Sequence, residues 1–356
     1  MRKPVAVMEL DPLGHRLRYV RLLMAAVEPS DRLLLVPNAV RDSPEFAEHL
    51  ADLDARVVIL PDGRRDAVAA AVDVAGEAGA HLVIPDGDKN VAPLLVALVR
   101  AGRRRPPVSL LLMRTTLPGG PERATAGMVL KPPLAWLLAR LPGVRMRFLT
   151  DAFGVVVRRR GFPGVRPVRD PVTVPDDVAA SRAPGGPFRL GVFGVITARK
   201  NVPLLLAALE GTPGVHLVVA GRCDPGVAAT LADSPLADRL EVEDRLLTEE
   251  EFDAAVAGVD AVAVLHDNDA PSGIVAEAAA RGVPVLGPAR GWASSMVTGT
   301  GIGEVADLEA PDPVAEVRTA LTRLIATRER RVAATRRAAT RLGVTDFVSG
   351  LLGDVT

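Results

Sequence analysis

Short aliphatic runs rich in β-branched residues alternate with longer amphipathic stretches along this chain, and the alternation starts, stops and starts again. In the first series, runs at 4–9, 32–36, 56–60, 81–85, 108–113 and 144–149 read as strands, while 15–27 and 65–78 carry helical spacing. Strand and helix in strict alternation require crossover connections, which yield a parallel sheet covered on both faces. Between 161 and 187 the pattern lapses: prolines stand at 163, 167, 171, 175, 184 and 187 beside a Gly185-Gly186 pair. Such a stretch reads as a linker.

The second series places strands at 188–193, 216–220, 240–242, 260–265 and 283–286. Thr248 with Glu251 forms a capping box, and Pro203 suits the first turn of a helix. A single long charged helix is expected from 313 to about 341, then Gly343 and a short terminal helix. The expected fold class is α/β: two Rossmann-like, doubly wound parallel-sheet domains in tandem, at 1–165 and 188–342, joined by a linker at 166–187. The terminal helix, 343–356, is expected to pack back toward the N-terminal domain. Doubly wound domains bind ligands at the carboxyl ends of their strands, so the expected site is a cleft where the two sheets face each other.

Composition narrows the classes. With 356 residues and 48% apolar, the chain can bury two cores, and a formal net charge of zero argues against a general nucleic-acid binder. A lone cysteine, Cys223, excludes an intramolecular disulfide or a multi-cysteine zinc site and fits a reducing cytoplasm. Apolar stretches such as 108–113 fall far short of the roughly 18 residues a membrane span needs. Met1-Arg2-Lys3 leads straight into a strand-like run, so no signal peptide is expected. Lysine occurs only at 3, 89, 131 and 200, an arginine bias that fits GC-rich coding. Charge is nonetheless uneven: residues 100–170 carry 15 Arg or Lys against three acids, a net of +12. Within it, the cationic amphipathic stretch Lys131 to Arg140 suits either a sheet-covering helix or an interfacial membrane helix.

Several catalytic frameworks are missing. There is no G-x-S-x-G, H-E-x-x-H or G-x-x-x-x-G-K-[ST] motif, and the histidines at 15, 49, 81, 216 and 266 lack ligand spacing. Gly299, Gly301 and Gly303 form G-x-G-x-G, but without a strand running into them they read as a surface turn. The most specific stretch is HDNDAPSGIVAEAAARGVPVLG at 266–287. Here a strand ends in a polar loop, Ser272 and Gly273 open a helix, and Glu277 lies about one turn in, eight residues after Asp269. A helix start offers unpaired N–H groups and a positive dipole end to an anion, and a carboxylate one turn in suits two vicinal hydroxyls of a ribose.

This acid-x7-acid segment resembles the E-x7-E signature of GT-B glycosyltransferases, family 4 in particular. The likeness extends over about 120 residues. FGVITARKN (193–201) is similar to that family's strand-turn-helix, with Gly194 followed six residues later by Lys200; LVVAG (217–221) and VPVLG (283–287) resemble flanking strands. The resemblance implies that Glu277 binds the nucleotide ribose and that Asp269 faces the donor sugar. It implies diphosphate contacts at Ser272 and Gly273 and neutralisation by Lys200, with Gly194 and Arg222 beside the nucleotide. Two departures stand out: the first acid is Asp instead of Glu, and the arginine often found after the glycine is Val195, with Arg199 a candidate replacement.

A diphosphate leaving group gathers negative charge as its glycosidic bond breaks, and Lys200 with a helix dipole supplies fixed positive charge against it. No metal and no cofactor are expected, the nucleoside-diphosphate sugar being a co-substrate. Asp86 and Asp88 form D-G-D after the fourth strand and are assigned to the acceptor rather than a metal. Gly14 and His15, at the first strand-to-helix junction, are acceptor-side and proton-transfer candidates, and Arg114 stands where the family often has a histidine. The resemblance implies a retaining transferase whose partners are a nucleotide sugar and a small-molecule or lipid-linked acceptor, with no nucleic acid. An anionic acceptor, or an anionic lipid surface met peripherally through 100–170, is the sharper reading of the basic segment. Only 11 aromatic residues tilt the acceptor toward a small molecule. Rival readings are a nucleotide-sugar epimerase on the same fold and a non-catalytic two-lobed binding protein. A pyridoxal-dependent phosphorylase is disfavoured, because only Lys200 lies near the site.

Overall fold

A computed structural model describes residues 3–13, 16–113, 126–155, 165–175, 186–266 and 273–353, the side chains of 126–130 excepted. The chain divides into two compact units. Unit 1 comprises Met1–Thr150, Arg158–Pro171 and Val344–Thr356; unit 2 comprises Asp151–Val157 and Val172–Gly343.

Unit 1 is built on β1 (Val5–Met8), β2 (Arg32–Pro37), β3 (Arg56–Leu60), β4 (His81–Ile84), β5 (Val108–Leu112), β6 (Val144–Thr150) and β7 (Arg166–Arg169). All pairings are parallel, in the order β3-β2-β1-β4-β5-β6-β7. Its helices are α1 (Arg16–Ala25), α2 (Asn38–Arg41), α3 (Pro44–His49), α4 (Arg64–Glu77), α5 (Val91–Ala101) and α6 (Ala126–Leu138). Because strand side chains alternate between faces, each central strand feeds two cores. Ala6 and Met8 of β1 join Leu82 and Ile84 beneath α4, α5 and α6, while Val5 and Val7 join Leu17, Leu23 and Phe46 from α1 and α3. The C-terminal helix seals that second face. Phe347, fully buried, sets its ring 4.8 Å from Tyr19.

β7 arises inside the stretch read as linker. It is an edge strand, Arg-Pro-Val-Arg, in which only Val168 is buried. Charge and proline are what an unpaired sheet edge tolerates, and they hide the strand from an apolar pattern.

Unit 2 carries β8 (Phe188–Phe193), β9 (Val215–Ala220), β10 (Leu240–Glu243), β11 (Ala261–Ala263), β12 (Val285–Pro288) and β13 (Gly303–Ala306), ordered β10-β9-β8-β11-β12-β13. Its helices are α7 (Val202–Glu210), α8 (Pro225–Ala232), α9 (Glu249–Ala257), α10 (Gly273–Ala280), α11 (Gly291–Thr300), α12 (Pro313–Ala326) and α13 (Arg328–Ala339). The Thr248 capping box opens α9 as expected, and Pro203 sits in the first turn of α7. Helix α14 (Thr345–Leu352) is the terminal helix packed in unit 1.

Two expectations are corrected. The single helix from 313 to about 341 is two, α12 and α13, separated at Thr327, whose hydroxyl donates to the Arg323 carbonyl at 2.7 Å. The break lets α12 pack on α7 and β13 while α13 covers α10. Nor are Gly299, Gly301 and Gly303 a surface turn. Gly299 lies within α11, Gly301 caps that helix with φ 72°, and Gly303 begins β13. A left-handed residue just past a helix end is ordinarily glycine. Gly303 is needed for a different reason: a Cβ there would stand 1.7 Å from the Val285 carbonyl oxygen of β12.

Gly303→Ala is therefore expected to lower the unfolding free energy by about 1–3 kcal/mol in urea titration. Gly226→Ala, where a Cβ meets nothing within 4 Å in a helix, should be neutral or slightly stabilising. Equal midpoints for the two variants would contradict this packing.

Candidate functional site

In unit 2 the strand order reverses between β8 and β11, leaving the chain ends that follow them side by side. The turn after β8 is shaped by close backbone approach. Gly194 has φ 87°, and a Cβ on Gly221 at the end of β9 would lie 2.0 Å from the Gly194 carbonyl oxygen. A 3₁₀ turn over Ala198–Lys200 follows, ending at Asn201 in the left-handed region at φ 52°, which asparagine tolerates. The Asn201 amide donates to the Leu265 carbonyl at 2.6 Å, tying this turn to the end of β11.

Lys200 is thereby carried to the strand ends, and its Nζ donates to the Phe193 carbonyl at 2.6 Å. Burial, with the Arg199 guanidinium beside it, lowers its ammonium from 10.5 to about 8. His266, just past β11, is buried, and desolvation with the nearby charges of Lys200 and Arg199 pushes its imidazole down to about 4. It is therefore neutral at physiological pH, and its Nδ1 and the Thr197 hydroxyl are buried without a hydrogen-bond partner. Arg199, Val195 and Arg222 are exposed, and the Arg222 carbonyl accepts the Ile196 N–H at 2.9 Å.

Helix α10 starts at Gly273, where a Cβ would meet nothing within 4 Å. Its alanines let it sink fully into the core, and Glu277 is its one charged residue. Glu277 is only 6% exposed; its Oε2 accepts from Arg281 at 2.6 Å, one turn later, and Arg281 also pairs with Asp253. Asp269 and Ser272 lie outside the described residues, as do His15, Gly14 and Arg114.

Unit 1 has its own reversal between β1 and β4. Asp86 and Asp88 follow β4, and neither stands alone: Arg16 Nε meets Asp86 at 2.6 Å and Lys131 Nζ meets Asp88 at 2.6 Å. Arg16 also holds Asp11 at 2.7 Å. The glycine of D-G-D is explained by packing, since a Cβ on Gly87 would lie 2.7 Å from the Leu111 carbonyl oxygen. At the end of β1, Glu9 Oε1 accepts the Leu10 and Asp11 N–H groups at 2.8 and 3.0 Å, while Oε2 is buried without a partner. Burial, then repulsion from Asp86, raises its carboxyl from 4.5 to about 8.

The structure thus brings Gly194, Arg199, Lys200 and Arg222 to one set of strand ends and Asp86 and Asp88 to the other. Sequence reasoning missed Glu9, Thr197, His266 and Arg281. Of these, only Arg281 had a readable signal, the i, i+4 spacing from Glu277. Among the described residues, no group of three His, Cys, Asp or Glu is placed to hold a metal ion, and no helix is long and apolar enough to cross a membrane.

No family model matches the sequence, and no curated protein matches it. Solved structures do. HepE of Anabaena, in complex with UDP, superposes with a TM-score of 0.69 at 16% identity, covering 97% of each chain. A glycosyltransferase from Rickettsia africae gives 0.70 at 9% identity over 99% of each chain. WaaG, a glycosyltransferase involved in lipopolysaccharide biosynthesis, gives 0.62 at 15% identity, covering 97% of this chain and 96% of its own. The fold, two Rossmann-like parallel-sheet domains, is that of these GT-B glycosyltransferases.

Glu9 yields a prediction. An acid whose pKa is higher folded than unfolded makes stability fall as pH rises from the unfolded value toward the folded one. Between pH 4.5 and 7 this group should cost the fold about 3 kcal/mol. Glu9→Gln, isosteric and uncharged, should flatten that slope and raise Tm at pH 7, as read by thermal melts across pH. An unchanged profile would show that Glu9 titrates normally.

Proposed function

We propose that this chain transfers a sugar from a nucleoside-diphosphate sugar to an acceptor, with retention of anomeric configuration and without a metal ion. The observation that carries the reading is the convergence at the β8/β11 reversal: Lys200 and Arg199 on one strand's turn, and the start of α10 with Glu277 on the other's. That is the chemistry a ribose and a diphosphate call for, and HepE, which shares the fold, has been seen with UDP and with UDP-glucose. In this reading Glu277 accepts from the ribose hydroxyls. Ser272, Gly273 and Lys200 hold the diphosphate, with Gly194 and Arg222 lining the nucleotide, and Asp269 faces the sugar.

Burial, and then the Arg199 charge beside it, make Lys200 lose its proton at so low a pH. An anion placed beside the two cations relieves their repulsion, most of all in the transition state, where charge builds on the leaving phosphate. Acceptor recognition falls to unit 1, to Asp86, Asp88, Gly14, His15 and Arg114. No cofactor is called for, and the site is cytoplasmic in this reading.

Titration with a panel of nucleoside diphosphates should find one that binds and raises Tm. Glu277→Gln should weaken that ligand about ten- to hundredfold, the worth of one or two charge-assisted hydrogen bonds; undiminished affinity would sink the ribose assignment. Lys200 adds a pH test. Binding to the free protein should hold steady until about pH 8 and then decline, by up to about tenfold per unit, as the ammonium loses its proton. Lys200→Arg should remove the decline. A profile flat to pH 9.5 in the wild-type chain would show that Lys200 does not meet the phosphates.

A further inference from the structure

We propose that the outward faces of α5 and α6 form a single docking surface for an anionic lipid bilayer. Helices that cover a sheet ordinarily turn polar side chains to water. These two, packed side by side, do not. On α5 the outward side chains include Val96 and Val99, 57% and 63% exposed; on α6 they include Trp136 and Leu137, 37% and 46% exposed. Their inward faces are separately occupied, with Leu94, Leu98, Ala135 and Leu138 fully buried against the sheet. Both helices are therefore apolar on two sides, and packing within unit 1 accounts for only one of them.

Charge identifies the occupant. Exposed Arg100, Arg103 and Arg104 continue from the end of α5, and Arg140 at the end of α6 lays its guanidinium 3.7 Å from the Trp136 ring centroid. Between Lys89 and Thr150 the one acidic residue is Glu122. An apolar centre with tryptophan, edged by exposed arginines at the ends of both helices, matches the boundary between acyl chains and anionic headgroups. A second copy of the chain is a poorer occupant, because a two-fold contact would set these arginines against each other. The Lys131–Asp88 ion pair joins α6 to the segment after β4, so the surface adjoins the residues assigned above to the acceptor. The inference does not need that assignment, since bilayer binding is measured without any nucleotide or acceptor.

The test is co-sedimentation of the full chain with phosphatidylcholine vesicles, with and without phosphatidylglycerol, at low and high salt. Binding is expected only with the anionic lipid and should weaken with salt. Trp136→Ser with Leu137→Ser, or independently Val96→Asn with Val99→Asn, should reduce partitioning at least about tenfold. Arg100→Gln with Arg103→Gln should reduce it about fivefold per arginine. Because each position is exposed, Tm should stay at the wild-type value; if one apolar pair fails to fold, the other carries the test. The proposal is overturned by absence of binding at low salt, by equal binding to neutral vesicles, or by binding that all these variants leave intact. It is equally overturned if light scattering shows a dimer that Trp136→Ser with Leu137→Ser dissociates.

Discussion

A doubly wound sheet that begins in its middle sends its first crossovers over one face and its later ones over the other, so at one point neighbouring strands part company. In unit 1 this happens between β1 and β4, in unit 2 between β8 and β11. The backbone leaving these strands is not drawn under the same helix, and polar side chains collect there, Glu9 and His266 among them buried. Glu9 and Asp86 owe their position to the first reversal, Lys200 and His266 to the second. The surrounding chain serves to keep the strands in register: Val5, Ala6 and Val7 of β1 are matched to both Arg32–Leu34 and His81–Val83.

The two reversals solve opposite electrostatic problems. In unit 1 carboxylates predominate, and the fold answers with Arg16 and Lys131, while the deepest acid, Glu9, is held as the neutral form by desolvation. Among the described residues at the unit 2 reversal, cations predominate. Lys200 and Arg199 lie close, and burial, then these neighbouring charges, lower the basicity of Lys200 and His266. A second cation set beside the partly desolvated Lys200 ammonium is costly in an unliganded protein, and it is the kind of cost an anionic ligand converts into affinity.

The architecture was legible because it is periodic: parallel strands buried on both faces read as continuous aliphatic runs, and both sheets follow from them. What escaped was aperiodic. β7 is nearly all charge and proline, β13 opens on a glycine chosen for the Val285 carbonyl, and the α12–α13 break is a change of backbone dihedrals at one residue, Thr327, φ −112° and ψ 13°. The site was legible where it is local in sequence, as with Gly194 and Lys200. Residues such as Glu9 and His266 were not, because what marks them is desolvation and neighbours far along the chain, such as Asp86 for one and Lys200 for the other.

Helix α10 shows how closely site and core are joined. Five of its eight residues are alanine or glycine, which allows it to lie flat against the sheet under α13, and that depth is what would otherwise forbid a carboxylate on its inner turns. Glu277 is tolerable there because Arg281, itself nearly buried, pairs with it and passes its remaining charge to Asp253 at the surface. Removing Arg281 would strand a buried charge, whereas altering Glu277 to its amide leaves a hydrogen-bonding group in place. The pairing thus fixes the carboxylate's direction before any ligand arrives, so little side-chain entropy remains to be lost on binding.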